Sequence, residues 1–252
     1  MRKLVLILTI LVASIAEAQK PAAPKADEVA RRALDVLGGG PAWDNAKYIA
    51  FTFKVERDGK VISSFRQAMD RNTGTYRVSG NAEDGVPFDI VVNIPTRKGK
   101  ATYSGKPVSP DSVEWDTVYN IALRRFINDM NWLLMPLEVF DARAHRTLDG
   151  QRTDSCGRTW DVLKLTWDPS AGFGEGDVYW LWINHDTGVV EEWDTKSGAA
   201  APEEAPIQLI FREYRRVGGL LLSARREVKG KNQVIRFDDL VVLPQAPKDA
   251  FD

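Results

Sequence analysis

Two histidines, His145 and His185, are the only imidazoles in the chain. They do not form a His-x-x-x-His pair, and no His/Cys cluster stands at zinc-ligand spacing, so no metal site is expected. His185 falls in a turn-like run, Asn184-His185-Asp186-Thr187-Gly188, and no nucleophile motif accompanies it, so no catalytic residue is assigned. Asp168, Glu175, Asp177, Glu191 and Glu192 could furnish the carboxylate pair of glycoside hydrolysis. Their spacing, however, does not set the separation which that chemistry requires. Gly38-Gly39-Gly40 follows a helical stretch instead of opening one and reads as a C-cap, not a phosphate cradle. No cofactor is expected. The sole cysteine, Cys156, lies in the run Thr153-Asp154-Ser155-Cys156-Gly157 and excludes an intrachain disulfide.

The chemistry the composition does favour is apolar recognition. Of eight tryptophans, seven (Trp115, Trp132, Trp160, Trp167, Trp180, Trp182 and Trp193) lie in the middle of the chain or beyond it. Any one of them alone reads as core. Together they exceed what helix packing asks of this region, and large rigid rings can line a cleft without collapsing it. An acyl chain entering such a cleft gains about 0.8 kcal/mol per buried methylene.

The elements that must position these rings are mostly strands. In Asp177–Trp193, Val178, Trp180 and Trp182 alternate with Tyr179, Leu181 and Ile183, so the first strand of a hairpin is apolar on both faces, and both must be covered. A helix is expected over about Asp27–Leu37, with Val29, Ala33, Leu34 and Leu37 in one stripe. Period-two runs follow at Tyr48–Val55, Val61–Met69, Thr75–Ser79, Phe88–Ile94 and Ala101–Tyr103. A second helix, Asp111–Met130, carries Trp115, Val118, Ala122, Phe126 and Met130 on one face and Asp116, Asn120, Arg124 and Asn128 on the other. Asn131–Leu137 then reads as an apolar segment entering the interior, closed to further helix by Pro136. Strands resume at His145–Leu148, Trp160–Trp167, Asp177–Asn184, Val189–Thr195, Ile207–Tyr214, Leu220–Lys229 and Gln233–Leu243. The fold class expected is α+β: a single curved antiparallel sheet of about 11 strands, a half-barrel closed by an N-terminal helix and a central helical lid.

The chain of 252 residues opens with Arg2 and Lys3, an apolar run from Leu4 to Ala13, and Ala16-Glu17-Ala18. This is the pattern of a secretory signal peptide, residues 1–18, cleaved after Ala18. The run falls short of the roughly 20 residues a membrane span needs, so no stable span is expected. Residues 19–26 read as a flexible leader and 27–252 as one domain. Losing Arg2, Lys3 and Glu17 moves the formal charge from −1 to −2, which does not suit a nucleic-acid partner.

Residues Tyr179-Trp180-Leu181-Trp182-Ile183-Asn184 with Asp186-Thr187-Gly188, and Glu213–Ser223 around Gly218-Gly219, resemble corresponding hairpins of the periplasmic lipoprotein-carrier superfamily, the LolA/LolB-like proteins. The order of helix, strand block, helical insertion and second strand block is similar over almost the whole mature chain. Leu37-Gly38-Gly39 with Trp43, the Trp132–Pro136 segment and the Trp180 hairpin resemble an exported branch of that superfamily other than the lipoprotein carrier itself. The resemblance implies an eleven-stranded half-barrel and a periplasmic location. It also implies a non-enzymatic protein that binds or carries a lipid or acylated protein ligand in a hydrophobic cavity. Trp115, Phe126, Trp132, Leu134, Trp180 and Trp182 are the residues expected to line or close that cavity. The alternative is an envelope scaffold that engages a protein partner and fills its cavity with its own side chains; an envelope hydrolase is a third reading.

Overall fold

Alternation of apolar and polar residues over most of the chain leaves most strands one greasy face; placing the strands side by side merges these into one apolar sheet face, which helices must then cover. The computed structural model describes residues 25–82, 84–168 and 176–252. The expected signal peptide and most of the leader lie outside the described residues. The first strand block comprises β1 (Tyr48–Arg57), β2 (Lys60–Asp70), β3 (Thr75–Asn81), β4 (Pro87–Asn93), β5 (Gly99–Tyr103) and β6 (Lys106–Val108). The second comprises β7 (Ala144–Thr153), β8 (Thr159–Trp167), β9 (Val178–Asn184), β10 (Val190–Lys196), β11 (Ile207–Val217), β12 (Leu220–Val228) and β13 (Gln233–Leu243). All thirteen described strands form one antiparallel sheet, ordered β6-β5-β4-β3-β2-β1-β13-β12-β11-β10-β9-β8-β7.

That order explains the architecture. The first and last strands pair at the centre, Phe53 opposite Phe237, and the two meanders fan outward from them. The sheet does not close into a barrel, and β6 and β7 are left as its two edges. The chain between those edges must therefore cross one face of the sheet. It does so as α3 (Glu114–Arg125), a π-helical turn (Phe126–Met130), α4 (Asn131–Leu134) and a final 3₁₀ turn (Met135–Leu137). A helix expected to stop at Met130 thus continues to Leu137, and the apolar segment after it is helical and buried: Leu133, Leu134, Met135 and Leu137 are all under 4 % exposed.

The sheet has two strands more than the expected eleven or so; the one that none of the twelve expected ranges covers is the narrow edge strand β6, whose three residues include Pro107 and give no periodic signal. The glycine run also does more than end a helix. α1 (Ala26–Val36) is capped at Leu37, and α2 (Gly39–Asn45) opens immediately after Gly38. Gly38 holds φ at +130°, and a Cβ there would lie 2.8 Å from the Gly219 carbonyl oxygen. Close approach of this turn to the β11–β12 hairpin is what requires glycine, and Leu221 N–H donates to the Leu37 carbonyl at 2.8 Å across the same contact.

Candidate functional site

α3 lies on the sheet through Trp115, Val118, Tyr119 and Ala122, all buried. The Trp115 indole N–H donates to the Arg97 carbonyl at 3.0 Å and the Tyr119 hydroxyl to the Ile94 carbonyl at 3.2 Å, pinning the start of α3 to the β4–β5 turn. Past Arg125 the helix widens into a π turn. Such insertions recur at functional sites because they re-aim side chains without ending the helix.

On either side of this turn the sheet and helix part. One groove, about 760 Å³, is walled by Ala82, Phe88, Tyr103, Ile121 and Ile127 and edged by Arg124 and Arg125. A smaller cleft of about 300 Å³ on the other side is walled by Asn131, Trp132, Tyr179, Trp193, Thr195 and Ile207, among others. Asn128 belongs to both walls, so the π turn is the partition between them.

Beneath the partition is a buried polar chain. Asp129 is fully buried and accepts from Gln67 Nε2 at 2.5 Å and Asn128 Nδ2 at 2.7 Å, while the Tyr76 hydroxyl donates to Gln67 Oε1 at 2.6 Å. Arg125 stands 3.8 Å from the same carboxylate and stacks over Phe65 with its guanidinium carbon 3.9 Å from the ring centroid. Burial pushes the Asp129 carboxyl up to about 6, against the opposing pull of Asn128, Arg125 and Gln67.

A second buried charge lies under α4. Arg226 is 1 % exposed, with its guanidinium carbon 4.0 Å from the Phe211 ring centroid, 4.9 Å from Trp193 and 5.2 Å from Phe237. Burial lowers its pKa to about 9. Its Nη2 donates to the Leu133 carbonyl at 3.3 Å.

Of the residues expected to line the cavity, Trp132 lies in the wall of the smaller cleft, its ring 5.3 Å from that of Trp193. Phe126 packs edge-on against Tyr76 at 5.3 Å, below the partition. Trp115 and Leu134 are buried in the seam between helix and sheet. Trp180 and Trp182 are a correction. Strand β9 alternates as expected, but Tyr179, Leu181 and Ile183 join the core under the helix, leaving Trp180 and Trp182 half-buried on the opposite face. There Trp182 packs on Trp160 at 6.0 Å and donates from its indole nitrogen to Asp194 Oδ2 at 3.0 Å. The inward face of β9 is covered by the core, while on the outer face Trp180 and Trp182 stay half-buried among side chains of the adjacent strands, so apolarity could not say which face was inside.

The candidate hydrolytic groups do not converge. Glu191 accepts from Trp160 and Asn184, Asp177 from Tyr179 and the Gly198 N–H, and Asp168 meets His145 at 2.7 Å on the surface. Glu175 lies outside the described residues. His185 Nδ1 sits 2.9 Å from Asp161, but that buried carboxylate is shared with Arg32 of α1 and with Gln151 at 2.8 Å, which makes it a staple of α1 onto the sheet. No cluster of three or more potential metal ligands occurs among the described residues, and no helix there is long and apolar enough to cross a membrane.

Sequence reasoning overlooked Asp129, Gln67 and Arg226, although a signal existed for each. Asp129 follows Phe126 at helical spacing; Gln67 and Arg226 hold inward positions in the period-two runs Phe65-x-Gln67-x-Met69 and Leu222-x-Ala224-x-Arg226-x-Val228.

No protein-family model and no curated protein matches the sequence. Among solved structures, the chain is similar to a LolA superfamily protein, NE2245, from Nitrosomonas europaea, with 11 % identity, a TM-score of 0.51, and coverage of 91 % of this chain and 98 % of that one. It also aligns with a DUF1329 family protein from Desulfovibrio piger ATCC 29098 at 13 % identity and a TM-score of 0.48, over 91 % of this chain and 98 % of that one. A putative outer membrane lipoprotein-sorting protein domain from Vibrio parahaemolyticus aligns at 8 % identity and a TM-score of 0.38, over 88 % and 97 % of the respective chains. The similarity to the first of these over nearly the full length of both chains gives this protein, with its open antiparallel sheet crossed by a helix between its edges, a LolA-like fold.

Proposed function

We propose that the protein is an exported, periplasmic, non-enzymatic binding or carrier protein whose ligand is a lipid or a lipid-modified protein held beside the central helix. The observation that carries this reading is the 760 Å³ groove between α3 and strands β3–β5. Its volume falls in the range of about 300–1,000 Å³ usual for ligand sites, and its walls are Phe88, Tyr103, Ile121 and Ile127. Each methylene that enters contributes about 0.8 kcal/mol, so half of a long acyl chain offsets much of the cost of association. Arg124 and Arg125 at the edge, with the Asp84 carboxylate in the same lining, suit a polar end held near water.

The alternative of a scaffold with a self-filled interior draws on a different observation: directly beneath α4 the space is occupied by Trp193, Phe211 and Arg226, and the open volume lies to the sides. Native mass spectrometry on protein purified from its own envelope, followed by titration with a fluorescent fatty acid, separates the two. A carrier retains or takes up the chain. Replacing Ile121 with Glu puts a charge in the groove wall on a half-buried face of α3 and is expected to weaken uptake about tenfold or more with helical content unchanged. Protein that is apo when purified and also refuses the probe would transfer the weight to the scaffold.

A further inference from the structure

The wall of the smaller cleft is rich in acceptors and short of free donors. Asn131, 8 % exposed, donates from Nδ2 to the Tyr179 hydroxyl at 3.3 Å, and that hydroxyl donates to Asp177 Oδ2, also at 3.3 Å. All three residues line the cleft. The direction of this chain is fixed by Asp177: a carboxylate can only accept, so it draws the hydroxyl proton toward itself and the Asn131 amide nitrogen toward the hydroxyl. Asn131 Oδ1 is thereby left buried and without a hydrogen-bond partner among the described residues. A buried acceptor in that state calls for a donor that the protein does not supply. The same lining carries two carboxylates, Asp177 and Glu204, and Glu204 is exposed and enters no ion pair among the described residues. Lys196, the one cation of the lining among the described residues, has its Nζ on the Pro202 carbonyl at 2.7 Å. The Trp132 ring stands half-buried in this wall, where its face can meet a cation.

From this juxtaposition of an orphaned buried acceptor, two carboxylates and a half-buried indole, we infer that the smaller cleft is a site for a primary ammonium, borne by a soluble amino alcohol or by the head of an aminolipid. An ammonium presents three N–H donors, and Asn131 Oδ1, Asp177 and Glu204 are three acceptors for them. A quaternary ammonium carries the charge and no donor, so it leaves Asn131 unsatisfied. The Trp193 indole nitrogen, the other orphan of this wall, is a donor and suits a ligand oxygen beside the ammonium. A cleft of about 300 Å³ stands at the small end of ligand sites and matches a head group better than a chain. Asn131 Oδ1 is closed off from water, so the ligand reaches it when the Trp132 ring shifts. The inference goes beyond the lipid reading above, since it needs neither the larger groove nor an acyl chain.

The test titrates the full-length mature protein by calorimetry at pH 7 and fixed ionic strength with three probes at millimolar concentration. Ethanolamine has the charge and the N–H donors, choline the charge alone, and ethylene glycol neither. Ethanolamine is expected to bind about tenfold tighter than either, or more, and to raise Tm where they do not. In the double variant Asp177→Asn, Glu204→Gln the preference over ethylene glycol is expected to fall to within about twofold, and in Asn131→Leu the preference over choline to fall likewise. Octylamine separates the two sources: binding about tenfold tighter than ethanolamine assigns the head to an aminolipid, and comparable or weaker binding to a soluble amine. Choline or ethylene glycol matching ethanolamine in the unaltered protein overturns the inference, and needs no variant to fold. Binding of neither ethanolamine nor octylamine overturns it too, and both results leave the fatty-acid titration of the carrier reading as it stands. Selectivity that persists in the folded double variant overturns it as well.

Discussion

Asp129 offers a direct test of the buried polar chain beneath the π turn. Its carboxyl is raised from an ordinary value of 3.8 to about 6, chiefly by burial. The folded protein therefore holds this proton more tightly than the unfolded chain does. The contribution is fully stabilising below about pH 4, declines as pH rises toward 6, and is flat above. At about 1.36 kcal/mol per pKa unit, the loss across that window is about 3 kcal/mol. Asp129→Asn cannot ionise. Its carbonyl can still accept from Gln67 Nε2, while its amide nitrogen faces the Asn128 amide, which adds an offset independent of pH. Urea unfolding followed by tryptophan fluorescence at pH 4, 5, 6 and 7 should show the stability of the variant relative to the unaltered protein rising by about 2 kcal/mol over the series, the rest of the change falling below pH 4. Glu138, which burial lifts to about 7 against the pull of Arg71, titrates in an overlapping range but is common to both proteins and cancels in the difference. A difference that is flat with pH, or that falls, would refute the assignment of Asp129 as a buried, weakly compensated acid.

Other perturbations bear on the clefts and on the frame around them. Trp132→Asp removes a ring from the wall of the smaller cleft and should weaken fatty-acid binding by about tenfold; unchanged affinity in a folded variant removes Trp132 from the site. Trp182→Phe deletes the donor to Asp194, which is 8 % exposed, and should lower stability in urea by about 1–3 kcal/mol. Because Trp182 lies on the face away from the helix, the same variant should bind ligand within about twofold of the unaltered protein, and a large loss would place the site on the other side of the sheet. Gly38→Ala brings a Cβ to 2.8 Å from the Gly219 carbonyl at a φ of +130°, so a loss of about 2 kcal/mol or more and a matching fall in Tm are expected. A Tm equal to that of the unaltered protein would show that the turn relaxes freely.

Much of the scaffold was legible because it is written in local periods. Twelve of the thirteen described strands coincide with strands expected from the sequence, the first five as period-two runs, and the helical insertion announces itself through Trp115, Val118 and Ala122. The candidate site was less legible, for reasons that can be named. Trp180 and Trp182 were expected inside because tryptophan is large and apolar, yet a strand apolar on both faces leaves its inward face to whatever packs against it. Arg226 and Gln67 were passed over because polar residues are ordinarily solvated, although their parity in β12 and β2 points inward.

By itself, then, the sequence determined the elements: strands where apolar residues alternate, helices where they recur every three or four, and turns where glycine alone accepts the backbone angles, since each is set by contacts among near neighbours. Tertiary structure decided what long-range pairing decides. The union of β1 with β13 sends β6 and β7 to opposite edges, which obliges the central helix to cross the sheet and open a cleft on each side of its π turn. It also joins Gln67, 62 residues away, to Asp129, and Arg226, 93 residues away, to the Leu133 carbonyl. Such pairs carry no local period, because the free energy that holds them comes from excluding water around partners brought together only when the whole sheet has formed.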